Sequence, residues 1–218
     1  MYRLFAPLAV VAAAMFAYAP IAIANVRYES TMLLVQKIFY FHFPTWMVVF
    51  AAVGVCGVAS LVYLFRASAK ADRLAAASAE LIVIFGAFGL VSGSFWARKA
   101  WNVWWDWNAR LTTAAVVELV FLAYLLLRKY GGPGSEKLAA GMGIFGAATA
   151  PFLYKSVDWW RTLHPTTSVV STLPGDMWMV ALFCTGAFLV LFAMLLAARV
   201  RLEDLRANLD RLYLAAED

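Results

Sequence analysis

Six apolar runs, most of them long enough to cross a bilayer, decide what this chain can be. A helix needs about 20 mainly apolar residues to span the ~30 Å hydrocarbon core. The runs extend over roughly Leu4 to Ala24, Pro44 to Phe65, Ala79 to Trp96, Leu111 to Leu127, Leu138 to Tyr154 and Met177 to Ala198. The third, fourth and fifth are short, so their ends are expected to extend or tilt. Gly89 and Gly93 form a GxxxG pair in the third run, which predicts close helix packing there. Composition agrees. Of 218 residues, 64% are hydrophobic and only 14% charged, against about 25% charged in an average soluble domain. Mean hydropathy is +0.77. The expected fold class is all-α, a polytopic membrane protein of about six transmembrane helices.

Charge sets the orientation. One set of loops and ends holds Arg3; Arg66, Lys70 and Arg73; Arg128, Lys129 and Lys137; and Arg199, Arg201, Arg206 and Arg211. The other set holds only Arg27, Lys37, Arg98, Lys99, Arg110, Lys155 and Arg161. Basic loops stay in the cytoplasm, so both termini are expected there. The chain then divides into a six-helix membrane domain over 1–198 and a cytoplasmic tail over 199–218. The outer face receives the loops 25–43, 97–110 and 155–176. In a bacterium this is the periplasmic face of the inner membrane. The first run follows Arg3 and ends near Ala22-Ile23-Ala24, the outline of a signal peptide, but it exceeds the ~15 residues of a signal core. A retained first helix is expected.

This topology gathers the chemistry on one side. Both histidines of the chain, His42 and His164, fall in outer loops, and all nine tryptophans lie at the same face. An aromatic belt populates both interfaces, so a belt does not account for the asymmetry. Trp101, Trp104, Trp105 and Trp107 crowd into seven positions. Such a surface must bury itself in something. It is either an interfacial segment packed on its own helix ends or a platform for a large flat ligand. A lone loop histidine is ordinarily a surface residue. Two imidazoles flanking an apolar platform can instead take the two axial positions of a haem iron. Arg98, Lys99, Arg110, Lys155 and Arg161 are candidate partners for haem propionates on that side.

Three stretches together resemble the haem exporter protein C family of cytochrome c maturation, within the tryptophan-rich WWD-domain haem-handling superfamily. Gln36 to Met47, QKIFYFHFPTWM, looks like the family's first histidine loop. Trp101 to Thr112, WNVWWDWNARLT, looks like its tryptophan-rich signature, and Ser156 to His164, SVDWWRTLH, like its second histidine loop. The signature usually reads W-G-x-W-W-x-W-D. Here Asn102 stands for the Gly and Asn108 for the Asp, with an acid two positions earlier at Asp106. The resemblance implies non-covalent haem b held at the outer face. It implies His42 and His164 as axial ligands, Trp101, Trp104, Trp105 and Trp107 as the platform, and Asp106, Asn108 and Arg110 at its edge. The implied recipient is a membrane-anchored haem chaperone (CcmE). A small helical subunit, an ATP-binding cassette pair and membrane lipid are the other implied partners, with no nucleic acid. The implied role is haem delivery and assembly, without enzymatic turnover.

Other features carry less. Cys56 and Cys184 lie far apart in apolar runs, without a CxxC or CxxCH pattern, and read as buried small apolar residues. Gly131-Gly132-Pro133-Gly134 breaks the chain between the fourth and fifth runs. It lacks the lysine and hydroxyl spacing of a P-loop. Glu118 sits ~12 Å along the fourth helix from Arg110. At that depth it should face the bundle or a wet cavity, pairing with a neighbouring polar group, forming a polar floor beneath the site or contacting a partner subunit. Leu202, Leu205, Leu209 and Leu212 form one stripe on the tail. The stripe belongs either to a solvated helical extension or to a docking face for a cytoplasmic subunit. Two other functions compete. A haem-retaining oxidoreductase subunit exchanging electrons with quinone usually carries its histidines within the spans. A haem-free transporter shows paired charges or broken helices near mid-membrane.

Overall fold

The structure, a computed structural model, describes residues 5–167 and 172–217. The described residues form six long helices: α1 (Phe5–Asn25), α2 (Phe39–Arg66), α3 (Ala69–Trp101), α4 (Ala109–Tyr130), α5 (Ser135–Trp159) and α6 (Gly175–Glu217). A 3-10 turn, Leu34–Ile38, leads into α2. Among the described residues there is no strand, only an isolated bridge between Glu29 and Leu33. Five helices are long and apolar enough to cross a membrane. The remaining helix, α5, is long enough, but it is rich in Gly and Ala and carries Glu136, Lys137, Lys155 and Asp158 near its ends.

The short runs do extend. Helix α3 reaches 33 residues. Its start is fixed by the Ser68 hydroxyl, which accepts from the Ala71 amide at 3.4 Å. Its end is fixed by Asn102, which takes the left-handed conformation (φ 60°). Helix α4 begins where the Asn108 side chain accepts from the Leu111 amide at 3.0 Å. Gly134 (φ 88°) separates α4 from α5, as the glycine run predicts.

Helix α2 is the hub, packing on α3, α5 and α6, while α4 lies against α3 and α5, and α1 lies along α6. Where helices meet, small residues let backbones approach, as membrane interfaces favour. A methyl on Gly57 of α2 would collide with Ala147 of α5, and one on Gly143 would meet the Ser60 hydroxyl at 2.5 Å. Bulky residues such as Val58, Phe65, Ile84, Phe88 and Leu119 point outward, where lipid is the natural neighbour. Cys56 and Cys184 are buried free thiols.

The last residues of α1 and the first of α6 meet at one end of the bundle. There Arg27 pairs with Asp176 at 2.7 Å, and Lys37 donates to the Ile23 and Ala24 carbonyls. Phe5 therefore lies at the opposite end, towards which α6 also runs. That end is held by ion pairs: bidentate Arg128 on Asp72, Arg73 on Asp204, and Arg199 on Glu80 and Glu203. Helix α6 runs through 43 residues without a break at position 198. At ~1.5 Å per residue that is ~65 Å, about twice the hydrocarbon core. Leu202, Leu205, Leu209 and Leu212 are all exposed on its projecting part.

Candidate functional site

The two histidines come together at the α1–α6 junction end, far apart in sequence but lining the same two adjoining clefts. The smaller cleft holds about 670 Å³ of space and the wider about 1300 Å³, both open to solvent. His42, Trp46, Trp96, Arg110, His164 and Pro165 form the shared wall.

His42 is not in a loop. Helix α2 starts five residues before Pro44, so His42 sits in its first turns and is 8% exposed. The span expected from Pro44 was too short because proline reads as a helix start. Near a helix N-terminus its missing N–H removes only one bond. Burial of Phe39 and Tyr40 anchors the earlier turn. The space for His42 comes from α3. A methyl on Gly93 would lie 2.9 Å from His42 Cε1, and one on Gly89 would lie 2.9 Å from the Trp46 indole. The GxxxG pair thus brings α2 and α3 close by receiving two aromatic side chains.

Both imidazoles are held in one tautomer. His42 Nδ1 lies 3.0 Å from Ser92 Oγ, whose proton goes to the Gly89 carbonyl at 3.1 Å. With that proton directed to Gly89 the serine has a lone pair to offer, and His42 Nδ1 donates to it. His164 Nδ1 lies 2.8 Å from the Pro165 carbonyl, which can only accept. In each ring Nε2 is left with its lone pair free, the form that binds a metal. Burial, then the nearby Arg110 guanidinium, pushes the His164 imidazole down from its usual value to about 4. It therefore stays neutral at ordinary pH.

The tryptophan segment splits in two. Trp101 and Trp105 line the smaller cleft, and Trp101 stacks on Trp96. Trp104 and Trp107 point out, 55% and 80% exposed. The Trp104 ring lies edge-on to Phe95 and beneath Arg98. The buried indole N–H groups of Trp96 and Trp105 meet no hydrogen-bond partner among the described residues, so the cleft presents donors for acceptors on a ligand.

Asp106 and Asn108 act as a pair. The Asn108 oxygen caps α4, while its amide donates to Asp106 at 2.8 Å. Both line the smaller cleft. Aspartate is an equally good cap, so the family's acid can fill the same structural role. Of the candidate cations, only Arg110 lines the clefts. Its Nη1 donates to the Leu153 and Tyr154 carbonyls. Its other N–H groups remain for an anion. Arg98 turns to Asn102, Lys155 pairs with Asp158, and Lys99 and Arg161 lie on the surface. Glu118 packs on Gly86, one turn below the cleft residue Ala114, with no hydrogen bond or ion pair among the described residues.

Sequence reasoning gave Trp46 and Trp96 no role beyond their place at the outer face with the other tryptophans. Their spacing from His42 (i, i+4) and from Gly93 (i, i+3) was the available signal. Nothing in the sequence singled out Ser92.

A haem fits this donor set. Two imidazoles with Nδ1 engaged line one cleft, aromatic walls suit a flat apolar body, and Arg110 and two indole N–H groups suit acidic edges.

Comparison with known proteins gives consistent results. The family profile described as "Heme exporter protein C" matches residues 1–214. The chain is 35% identical to the heme exporter protein C of Bradyrhizobium diazoefficiens over 185 residues, covering 82% of this chain and 70% of the relative. It is 29% identical to that of Haemophilus influenzae over 191 residues, covering 83% and 76%. It is 29% identical to that of Escherichia coli K12 over 175 residues, covering 76% and 69%.

Proposed function

The chain belongs to the haem exporter protein C family, and we propose that it holds haem at the outer face of the membrane between His42 and His164, for delivery to a membrane-anchored haem chaperone (CcmE). Membership makes it a multi-pass component of haem export and cytochrome c maturation in the bacterial inner membrane. The finer reading rests above all on one observation. Two imidazoles on separate elements line one cleft, each with Nδ1 engaged and Nε2 free.

In this reading the cargo is haem b, bound without covalent attachment, and His42 and His164 would ligate its iron through Nε2. Trp101 and Trp105 supply the apolar wall, with Trp46 and Trp96 beneath. Arg110 receives a propionate. Trp104 and Trp107 stand at the rim, suited to meeting a partner protein. Asn108 and Asp106 fix the start of α4 and hence the position of Arg110. The side bearing the site is the outer one because the opposite end carries the larger share of basic residues. A small helical subunit and an ATP-binding cassette pair complete the assembly. The protein delivers its cargo and does not turn it over chemically. Transport of electrons to quinone is disfavoured because the chain's two histidines sit at one end of the bundle.

Mixing the purified haem-loaded protein with apo-chaperone tests the proposal. Loss of this protein's haem absorbance with a matching gain on the chaperone is expected. Retention of haem after prolonged mixing, together with redox cycling by a quinol, would instead support the oxidoreductase reading.

A further inference from the structure

A third hollow lies outside the histidine site, in the seam between α2 and α5. Met47, Phe50 and Gly54 of α2 face Ala150, Pro151 and Tyr154 of α5 across it, and it holds about 730 Å³ of open space. No charged side chain lines it. Its depth matters. Gly54 is 12 residues beyond His42 on α2, or ~18 Å down the helix, so the groove descends to around the middle of the ~30 Å core. Its outer side opens where lipid lies. Gly54 is exposed, and a methyl there would meet nothing within 4 Å.

The groove adjoins the site. Met47 and Tyr154 line both it and the wider histidine cleft. Chemistry changes along this path in one direction. The lower part is wholly apolar. At the top Arg110 grips the Leu153 and Tyr154 carbonyls and so stands directly beside the point where groove and cleft join. A flat apolar body with an anionic edge matches that order, with apolar contact below and a cation above. The Phe50 and Tyr154 rings meet edge to face at 6.1 Å across the seam. They are the narrow point such a body must part.

We propose that the α2–α5 groove is a lateral portal through which a metalloporphyrin dissolved in the lipid enters the histidine cleft. The proposal rests on the reading of that cleft as a haem site. It differs from that reading in naming the direction of entry, from the bilayer and between two helices of this chain.

The test uses full-length apo-protein in phosphatidylcholine vesicles, mixed with donor vesicles carrying haemin, with absorbance followed over time. Gly54→Trp fills the groove at a position with free space. Gly141→Trp is the control, since a methyl at Gly141 on α5 also meets nothing within 4 Å and Gly141 does not line the groove. Gly54→Trp is expected to load about tenfold more slowly than the wild type and Gly141→Trp, with the same final spectrum and amplitude. Ala150→Phe, on the opposite wall, should slow loading likewise. Loading of both groove variants at the wild-type rate overturns the portal and leaves the groove to an acyl chain or a partner's helix. A lowered final amplitude in the groove variants also overturns it, because the groove would then be acting on the site and not on the path. If the wild type itself acquires no haem absorbance, the haem reading fails first, and the portal falls with it.

Discussion

Replacing Ser92 by alanine isolates the contact that sets the state of His42. The hydroxyl donates to the Gly89 carbonyl and so turns a lone pair to His42 Nδ1 at 3.0 Å. Without it, the buried ring has two choices. It keeps a proton on Nδ1 with no partner, at a cost of about 1–3 kcal/mol, or it moves the proton to Nε2 and loses the lone pair that faces the iron. Removing the partner that orients a metal-binding histidine typically costs about 10–100-fold in affinity. That is about 1.4–2.7 kcal/mol, the same range as the unpaired donor, as expected if one bond is responsible. The assay is haemin titration of the purified apo-protein followed by absorbance. Ser92→Thr is measured beside it, because threonine keeps the hydroxyl and should bind like the wild type. Binding by Ser92→Ala within about twofold of the wild type, with an unchanged spectrum, would refute the tautomer argument.

Three further outcomes follow from the same geometry. Gly93→Ala places a methyl 2.9 Å from His42 Cε1, and overpacking of this kind costs about 1–3 kcal/mol. It should lower both the unfolding temperature and haem affinity, whereas an effect on neither would mean that the ring is free to move. Asn108→Ala removes the α4 cap and should cost about 1 kcal/mol in thermal unfolding, while Asn108→Asp, which can still cap, should lose little. The depressed His164 value gives a pH dependence with a definite sign. Unfolded chains take up that proton below about pH 6.5, but the folded protein resists until about 4. The unfolded state therefore binds more protons between these limits, and stability falls as pH drops through them. In unfolding scans of the apo-protein the wild type should lose more stability than His164→Gln between these limits. Equal losses would show that His164 is not held neutral by burial.

Much of this was legible in the sequence because membrane crossing imposes a coarse rule. Twenty apolar residues mark a helix almost regardless of detail, and the alternation of basic loops sorts the ends. The clustering of His42, His164 and the tryptophans at one face followed from that sorting alone. The helix boundaries were less legible. Proline at 44 suggested a start, but the aromatic burial of Phe39 and Tyr40 carries the helix past it and takes His42 out of the loop. The tryptophan segment looked uniform in composition, yet the turn between α3 and α4 sends Trp101 and Trp105 inward and Trp104 and Trp107 outward. A local spacing rule cannot give that, because Trp104, Trp105 and Trp107 lie in neither helix nor strand. Asn108 drew attention as a departure from the family's acid, and its hydrogen bonds show a helix cap. Ser92 was invisible because its role depends on α2 lying against α3, a contact that no pattern within α3 encodes.

The most direct test of the account is the optical spectrum of the purified haem-loaded protein beside His42→Ala and His164→Ala. The account predicts a low-spin, six-coordinate bis-histidine spectrum for the wild type, and loss of that signature or of haem itself in each variant. Unchanged haem content and spectrum in both variants would contradict it.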